Sequence, residues 1–548
     1  MEFYKEIFLS KAGTLSENIT EQEKENVTHL KLSGYINSKD FDVLDDMCTS
    51  WGKFDEDDNY IIYENEPPYL KVLDLGDCIM KGRAVLRGFT YHSKLEEIIL
   101  PKNLKNTSSG FEGTFSDSVF LKRVVFPKTL REIGYGTFIC CNKLDNVNLP
   151  EKLETISSFA FSGCESLSSI FIPAYVSEIG SSTFQSCISL ERFDIDEQNR
   201  HFTAIDGVLF SKDKTKLVSY PCGKKNKNYI VPNGVKVICD GAFAGSQIEN
   251  ITFPTTLEII EDYAFRGCSN LEMLNIPDSV IEIGALAFEF CAKIKKVRLS
   301  NNLKVLRRQV FGSCNSIKKI EIPSSVKIIE ETALGWTYNL KTLILNNGLK
   351  EINDDLNYTK IEKLYIPRTV KEIESGLAIL GRSKLKKIEY EVDAENPFLC
   401  SINGSLYNKD KTILISIFPT QKDKFVVPNG VQIIKHFVFK ELDIEEIDLP
   451  DTLTTIEHRC FENCKKLRQI SLPKSLGFLD FRAFDGCDNL KKIIIFATCP
   501  PKLTQPSAKC WKLFGDAEKL TLYVPKESLK IYKKTARWKD IKRIKAIE

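Results

Sequence analysis

From residue 127 onward the apolar residues recur in columns. Taking Pro127 as an anchor, Pro150 and Pro173 follow at intervals of 23 residues. Anchors resume at Pro232, Pro254, Pro277, Ser300, Pro323, Asn346 and Pro367, and again at Pro428, Pro450 and Pro473; Pro101 is an earlier, irregular member. Three residues after the anchor stands Val or Leu (Leu130, Leu153, Val176, Val280), and six after it Ile or Leu (Ile133, Ile156, Ile179, Ile283). Eleven after it Phe dominates, as at Phe138, Phe161, Phe184, Phe243, Phe265, Phe288, Phe311, Phe439, Phe461 and Phe484. Fourteen after it stands Cys, at Cys141, Cys164, Cys187, Cys268, Cys291, Cys314, Cys464 and Cys487.

A unit of about 23 residues has too little apolar surface to bury alone, so stacked units must share a continuous core in which equivalent residues form ladders. The segment before each anchor, as in Leu274-Asn275-Ile276-Pro277, alternates with period two and predicts a short strand. Proline suits its end because it cannot donate to a ladder. The Val-x-x-Ile segment predicts a second short strand or extended turn, and Ala264-Phe265-Arg266-Gly267-Cys268 a tight helical or irregular turn. The expected fold is therefore a repeat solenoid of the leucine-rich type, with short strands, irregular turns and a period of about 23 residues.

Two gaps in the anchors resemble each other. Residues from Asn199 through Gly207 to Thr215 match those from Asn396 through Gly404 to Thr412. Each contains an Asp-Gly or Asn-Gly turn between apolar runs, so each predicts a β-hairpin insertion, near 195–231 and 392–427. Residues 1–95 break the period but keep leucine-rich strands around Leu30 and Leu73, with a helix expected from Ser38 to Met47 and a loop over Asp55–Asp58. They are expected to form an N-terminal capping module. Residues 497–548 depart again, with a strand over Leu520–Val524 and an amphipathic helix over Lys526–Trp538, expected to close the C-terminal end.

The coil from Ile276 and Pro277 through Val280, Ile283, Gly284, Ala287 and Phe288 to Cys291 resembles the BspA-like leucine-rich repeat family at nearly every column. The resemblance extends over about residues 96–496. It implies a surface or secreted protein of a host-associated organism that adheres to or binds a ligand without catalysis or a cofactor.

Composition narrows the function classes. Lys and Arg number 76 and Asp and Glu 74, a net charge of +2, which argues against a generally polybasic nucleic-acid binder. No stretch is long and apolar enough to span a membrane as a helix. Met1 to Ser10 lacks a basic segment followed by a long apolar run, so no secretion signal is expected in this chain as it stands. The compartment, cell surface or extracellular, follows from the resemblance only.

Seventeen Cys are present, but no Cys-x-x-Cys pair gives the usual zinc spacing. The laddered Cys are expected as buried, reduced, structural thiols. His458, Cys460 and Cys464, with His436 one rung earlier, form the best metal candidate, yet both Cys occupy core columns, so no metal ligands are assigned. No phosphate-binding loop, dinucleotide fingerprint or nucleophile elbow is present.

The outward residues of the strands supply the remaining candidates. Lys296, Lys319, Lys363 and Lys387 form a lysine-rich stripe beside Arg298, Ile344, Tyr365 and Tyr390. Aromatic and aliphatic groups rimmed by charge are material for a binding surface. The expectation is a non-enzymatic, monomeric binding protein engaging a host protein, matrix component or glycan through this face. A structural scaffold of a surface complex is the alternative, and a glycan-active hydrolase the less favoured one.

Overall fold

Each regular coil has three short segments, and a computed structural model shows how they stack. It describes residues 2–48, 69–82, 86, 89–90, 93–108, 113–353, 356, 359–373, 388–418, 423–480, 482–503 and 520–548, and the backbone of two short strands, Lys53–Phe54 and Tyr60–Ile61. The chain divides into two compact units, Met1–Ile294 and Lys295–Glu548. Each is a parallel β-solenoid.

In the first unit the two-residue strand Thr155–Ile156 pairs in parallel with Glu132–Ile133 on one side and Glu178–Ile179 on the other. The longer strand Ser169–Ile172 pairs with Arg192–Ile195. Along it Ile170 and Ile172 are buried while Ser169 and Phe171 face out, as period-two alternation requires. The third segment is the turn, where Phe138 N–H donates to Ala160 O (2.8 Å), Phe161 N–H to Thr183 O (3.0 Å) and Gly163 N–H to Gln185 O (2.8 Å). Aiming successive groups along the stack needs left-handed residues four apart, such as Phe159 (φ 58°) and Gly163 (φ 73°). A left-handed non-glycine residue costs about 1–2 kcal/mol, which the inter-coil bonds and the burial of the adjacent Phe offset.

The Phe column forms a stack. Ring centroids lie 5.5 Å apart for Phe89 and Phe115, 5.4 Å for Phe115 and Phe138, and 5.3 Å for Phe138 and Phe161. In the second unit Phe439, Phe461 and Phe484 repeat this at 5.1 and 5.0 Å. The column thus begins at Phe89, inside the region whose period the sequence obscures.

The Cys column does more than fill space. Cys164 Sγ donates to the carbonyl of Phe138 in the preceding coil (3.2 Å), as Cys187 does to Phe161, Cys291 to Phe265 and Cys487 to Phe461. Ser118 makes the equivalent bond to Phe89 O, so the column selects a small side chain with a donor. The described Cys are free thiols. Burial pushes the Cys222 thiol up to about 12 and that of Cys164 well above its usual range, leaving them protonated and unreactive at neutral pH. Cys164→Val is expected to remove one of the two donors to the Phe138 carbonyl, leaving the Cys141 N–H (3.2 Å), and to cost about 1 kcal/mol, whereas Cys164→Ser keeps the bond; urea denaturation of the two variants measures the difference.

The inserts interrupt the strand ladders. In the first, Phe202–Ile205 and Val208–Ser211 form an antiparallel hairpin around Asp206 and Gly207, both at positive φ (50° and 74°), the type I′ geometry that matches strand twist. A third strand, Lys216–Ser219, returns antiparallel and then pairs in parallel with Val237–Ile238. On the turn side no coil is inserted: Ser186 N–H donates directly to Ala244 O (3.2 Å). The second insert repeats the design with Leu399–Ile402, Ser405–Asn408 and Ile413–Ser416.

In the first insert, at the turn between Val208–Ser211 and Lys216–Ser219, Asp213 accepts from the Ser211 hydroxyl (2.6 Å), the Thr215 hydroxyl (2.9 Å) and the Thr215 N–H (3.0 Å). These bonds, the Ser211 hydroxyl foremost, hold its carboxyl down at about 2. A depressed folded pKa contributes stability above the unfolded value and loses it as pH falls toward 2. Asp213→Ala is therefore expected to lower Tm at pH 7, with the gap from wild type closing between pH 4 and 2.

The two ends carry less regular structure. Tyr4–Leu9, His29–Ile36, Val72–Met80, Glu97–Ile99, Arg123–Val125 and Asn146–Val147 form one parallel six-stranded sheet. The helix expected over 38–47 spans Ser38–Cys48; the acidic run 55–58 lies outside the described residues. At the other end the helix expected over 526–538 is broken into Lys526–Ser528, Leu529–Lys534 and Trp538–Asp540. The break lets Tyr532 and Trp538 both bury, with the Tyr532 hydroxyl donating to Ala497 O (2.9 Å) and Trp538 Nε1 to Pro501 O (3.1 Å). A strand that the periodicity does not reveal, Arg543–Ala546, then pairs with Thr521–Val524.

Candidate binding surface

The sequence-derived candidates fall on the second unit. Its longer strands are Lys296–Arg298, Lys319–Ile322, Thr342–Leu345, Lys363–Ile366 and Glu389–Val392. Ile320, Ile322, Leu343, Leu345, Leu364 and Ile366 point into the core. The intervening residues therefore face solvent: Lys296, Arg298, Lys319, Lys363 and Tyr365 are exposed and Ile344 is half-buried. Pairing of Lys319 with Thr342 and of Glu321 with Ile344 sets two columns side by side.

The register at the next coil corrects the sequence-based frame. Lys363 pairs with Glu389, Leu364 with Tyr390 and Tyr365 with Glu391. Tyr390 thus takes the inward position of Leu364, half-buried, and its N–H donates to Gly404 O (2.9 Å); it does not lie on the outward columns. Lys387 lies outside the described residues. The spacing from Lys363 to Glu389 is 26 residues, three longer than the regular 23-residue coil, and a slip of an odd number of residues exchanges inward and outward positions.

Acid accordingly follows base along this face. Lys363 Nζ lies 2.9 Å from Glu391 and 3.7 Å from Glu389, and the bond to Glu391 raises the Lys363 pKa. The Tyr365 hydroxyl donates to Asp393 (2.8 Å), which raises the phenol pKa. Arg368 reaches Glu395 at 3.1 Å. Lys296 and Lys319 form no ion pair among the described residues. The surface is thus a basic end at Lys296, Arg298 and Lys319, an apolar middle at Ile344 and Tyr365, and a self-neutralised acidic end.

The His and Cys candidates are not brought together. His436 Nδ1 lies 3.3 Å from Glu457 and His458 Nδ1 2.9 Å from Asp480, each on the following coil. Cys464 Sγ donates to Phe439 O (3.0 Å), and Cys460 is fully buried. The first unit also presents exposed apolar residues, of which sequence reading placed Phe171 and Met273 on the outward columns and passed over Ile230. Phe171, Ile230 and Met273 are 50%, 73% and 53% exposed on its longer strands. For Ile230 the signal was available, since Tyr229 and Val231 flank it as buried neighbours before the Pro232 anchor.

Among the described residues no helix is long and apolar enough to cross a membrane. Comparison with known proteins finds solved structures of similar type at low identity. A leucine-rich repeat protein from Eubacterium ventriosum ATCC 27560 is 15% identical over 90% of this chain and 87% of its own, with a TM-score of 0.35. A leucine-rich cell surface protein from Faecalibacterium prausnitzii A2-165 is 20% identical over 57% of this chain and 80% of its own, with a TM-score of 0.31. The pneumococcal vaccine antigen PcpA is 18% identical over 94% and 80%, with a TM-score of 0.29. No curated protein sequence matches the chain. The model of the BspA type leucine-rich repeat region matches residues 87–216, 219–333, 258–386 and 418–532, well over half of the chain. With those columns and the stacked coils that realise them, this chain belongs to the BspA-type leucine-rich repeat family.

Proposed function

We propose that the protein is a non-enzymatic binding protein of the cell surface or extracellular space, engaging a host protein, matrix component or glycan through the strand face of its second unit. The observation that carries this reading is the juxtaposition of Lys296, Arg298 and Lys319 with Ile344 and Tyr365 on adjacent rigid strands. Apolar and aromatic groups bordered by exposed charge form a contact surface. Strand-borne side chains are held before a partner arrives, so little ordering entropy opposes association. Lys296 and Lys319, in no ion pair among the described residues, supply an attraction that weakens with salt, since the screening length falls to about 8 Å at physiological ionic strength.

The test is solid-phase binding of the purified chain to immobilised matrix proteins and a glycan array. Tyr365→Ala and Lys296→Glu/Lys319→Glu are each expected to weaken the captured interaction at least tenfold, while Lys465→Glu, on another coil, leaves it unchanged. Absence of binding to every surface, or binding that neither variant alters, overturns the reading.

A further inference from the structure

Four residues after each anchor, a backbone hydrogen bond joins one coil to the next. Glu154 N–H donates to Arg131 O there, and Glu258 N–H to Lys236 O, each at 2.8 Å. The side chains meet as ion pairs, at 3.4 and 3.1 Å. Lys105 adjoins Arg131 at the same position, but Arg131 is turned to Glu154. Beyond the second insert the position holds the uncharged Gln432 and Thr454.

In the second unit four lysines occupy this position in succession. Lys327 N–H donates to Lys304 O (2.8 Å), Lys350 N–H to Lys327 O (2.8 Å) and Lys371 N–H to Lys350 O (2.7 Å). They precede the short strands Val305–Leu306, Ile328–Ile329, Glu351–Ile352 and Glu372–Ile373, which pair in parallel. With coils about 4.8 Å apart, the four residues form a row about 14 Å long. Lys304, Lys350 and Lys371 are exposed, and Lys327 is half-buried with its Nζ donating to Ser324 O (3.2 Å). Glu351 and Glu372 follow two of them in the chain, yet none of the four lysines has a carboxylate within ion-pair distance among the described residues. Like charges facing one another on neighbouring strands are destabilising. One acidic residue relieves such a row, as Glu96 does in the first unit between Lys71 (3.0 Å) and Lys122 (2.6 Å).

The surroundings add to the charge. From Lys295 to Lys350 there are 11 Lys and Arg against 3 Glu, whereas the whole chain is nearly balanced. Three residues before the ladder lysines stand Asn301, Ser324, Asn347 and Arg368, all exposed and none acidic. Neither column carries an aromatic ring, and Phe398, near the last rung, is covered by Lys371 Nζ at 5.4 Å from the ring centre. Single-stranded nucleic acids bind largely through bases stacked on rings, and duplexes are read by an element that enters a groove; the ladder offers neither. A straight row of point charges beside neutral hydrogen-bonding side chains suits a linear polymer that carries both anionic groups and hydroxyls.

We propose that the ladder of Lys304, Lys327, Lys350 and Lys371 binds a linear sulfated glycan, its sulfates on successive ammonium groups and its hydroxyls toward Ser324 and Asn347. A linear polyanion gathers counterions and releases them on meeting a row of cations, as nucleic acids do, so binding weakens steeply with salt. The ladder lies beside the short strands, off the long-strand face, and the proposal does not rest on the reading given for that face.

The test uses the full chain and a fluorescein-labelled heparin decasaccharide, followed by fluorescence anisotropy, with the chemically desulfated decasaccharide and an oligothymidine of equal charge as controls. Wild type is expected to bind heparin at least tenfold more tightly than either control. Lys327→Glu/Lys350→Glu is expected to weaken heparin binding at least tenfold, with an unchanged circular dichroism spectrum. Lys327→Arg/Lys350→Arg, which keeps the charge, should bind within twofold of wild type. Lys296→Glu/Lys319→Glu changes the net charge equally on the long-strand face and should cost less than threefold. Failure of heparin to bind, equal binding of the desulfated chain or of oligothymidine, wild-type affinity in Lys327→Glu/Lys350→Glu, or an equal loss in Lys296→Glu/Lys319→Glu overturns the proposal. Loss of capture on matrix proteins with heparin binding intact would instead count against the long-strand face alone.

Discussion

Phe265→Ala is expected to lower stability by about 3–5 kcal/mol, the range for truncating a fully buried aromatic residue. The ring stacks on Phe243 at 4.7 Å and on Phe288 at 5.0 Å, and Phe253 meets it edge-on at 5.8 Å. The neighbouring rings cannot close the gap, because each is fixed by its own coil's backbone bonds, such as Phe243 N–H to Ala264 O (2.7 Å) and Phe265 N–H to Ala287 O (2.7 Å). In a stack of coils the loss is carried at two interfaces at once, so the transition should split rather than shift as a whole. Urea denaturation followed by intrinsic fluorescence measures the loss. Phe265→Leu, which refills most of the volume, should recover more than half of it. A loss under about 1 kcal/mol for Phe265→Ala would mean that the ring stack is not the stabilising element.

The second large effect is expected at the entrance to the inserts. Asn199 and Asn396 are almost wholly buried, yet every polar atom of their side chains is engaged. Asn396 Nδ2 donates to Pro367 O and Val370 O, both at 2.9 Å, and its Oδ1 accepts the N–H groups of Phe398 and Leu399, both at 2.8 Å. Asn199 does the same with Pro173 O, Val176 O and the N–H groups of His201 and Phe202. One side chain thus ties the last regular coil to the first residues of the insert. Asn396→Ala removes a bond from four backbone groups, of which the Pro367 carbonyl keeps the Val370 N–H (3.2 Å). At about 1–3 kcal/mol for each buried group that finds no water, a net loss of about 3–5 kcal/mol is expected.

Asn396→Asp discriminates the mechanism. The carboxylate keeps the acceptor but turns negative charge toward two carbonyl oxygens, so its folded pKa must rise above the unfolded value near 4. The penalty is then full at neutral pH and falls as the pH drops through the folded pKa. Tm of Asn396→Asp relative to wild type should accordingly improve between pH 7 and 4, while that of Asn396→Ala should not. Equal pH dependence of the two variants would argue against a buried polar tie.

Much of the architecture was legible because burial repeats. Phe138, Phe161 and Phe265 each meet the same surroundings, so the same residue type returns at the same place. Short strands before Pro173 and Pro277 and the Asp206–Gly207 and Asn403–Gly404 hairpins followed from local chemistry, alternation in one case and φ preference in the other. Legibility failed where spacing changed. The Phe column runs back to Phe89 and Phe115, but the intervals there are irregular, Phe115 lying 14 rather than 11 residues after Pro101. The long interval after Lys363 placed Tyr390 on the surface when it belongs beside the core. The terminal helix looked continuous from Lys526 to Trp538, but burying both Tyr532 and Trp538 against residues 497–501 breaks it.

By itself, then, the sequence determined the coil: its period, its two strands, its buried columns and the two insertions, since each depends on contacts that repeat identically and so leave a repeating trace. Only the tertiary structure decided what crosses between coils. It showed that the Cys column donates to the carbonyl of the preceding Phe, that His458 faces Asp480, and that Lys363 and Arg368 meet carboxylates of the following coil. Such contacts join residues 22 to 28 positions apart at a register that local patterning does not encode. Charge on a surface is constrained by the neighbour it meets rather than by its own coil, and that neighbour is known only once the coils are stacked.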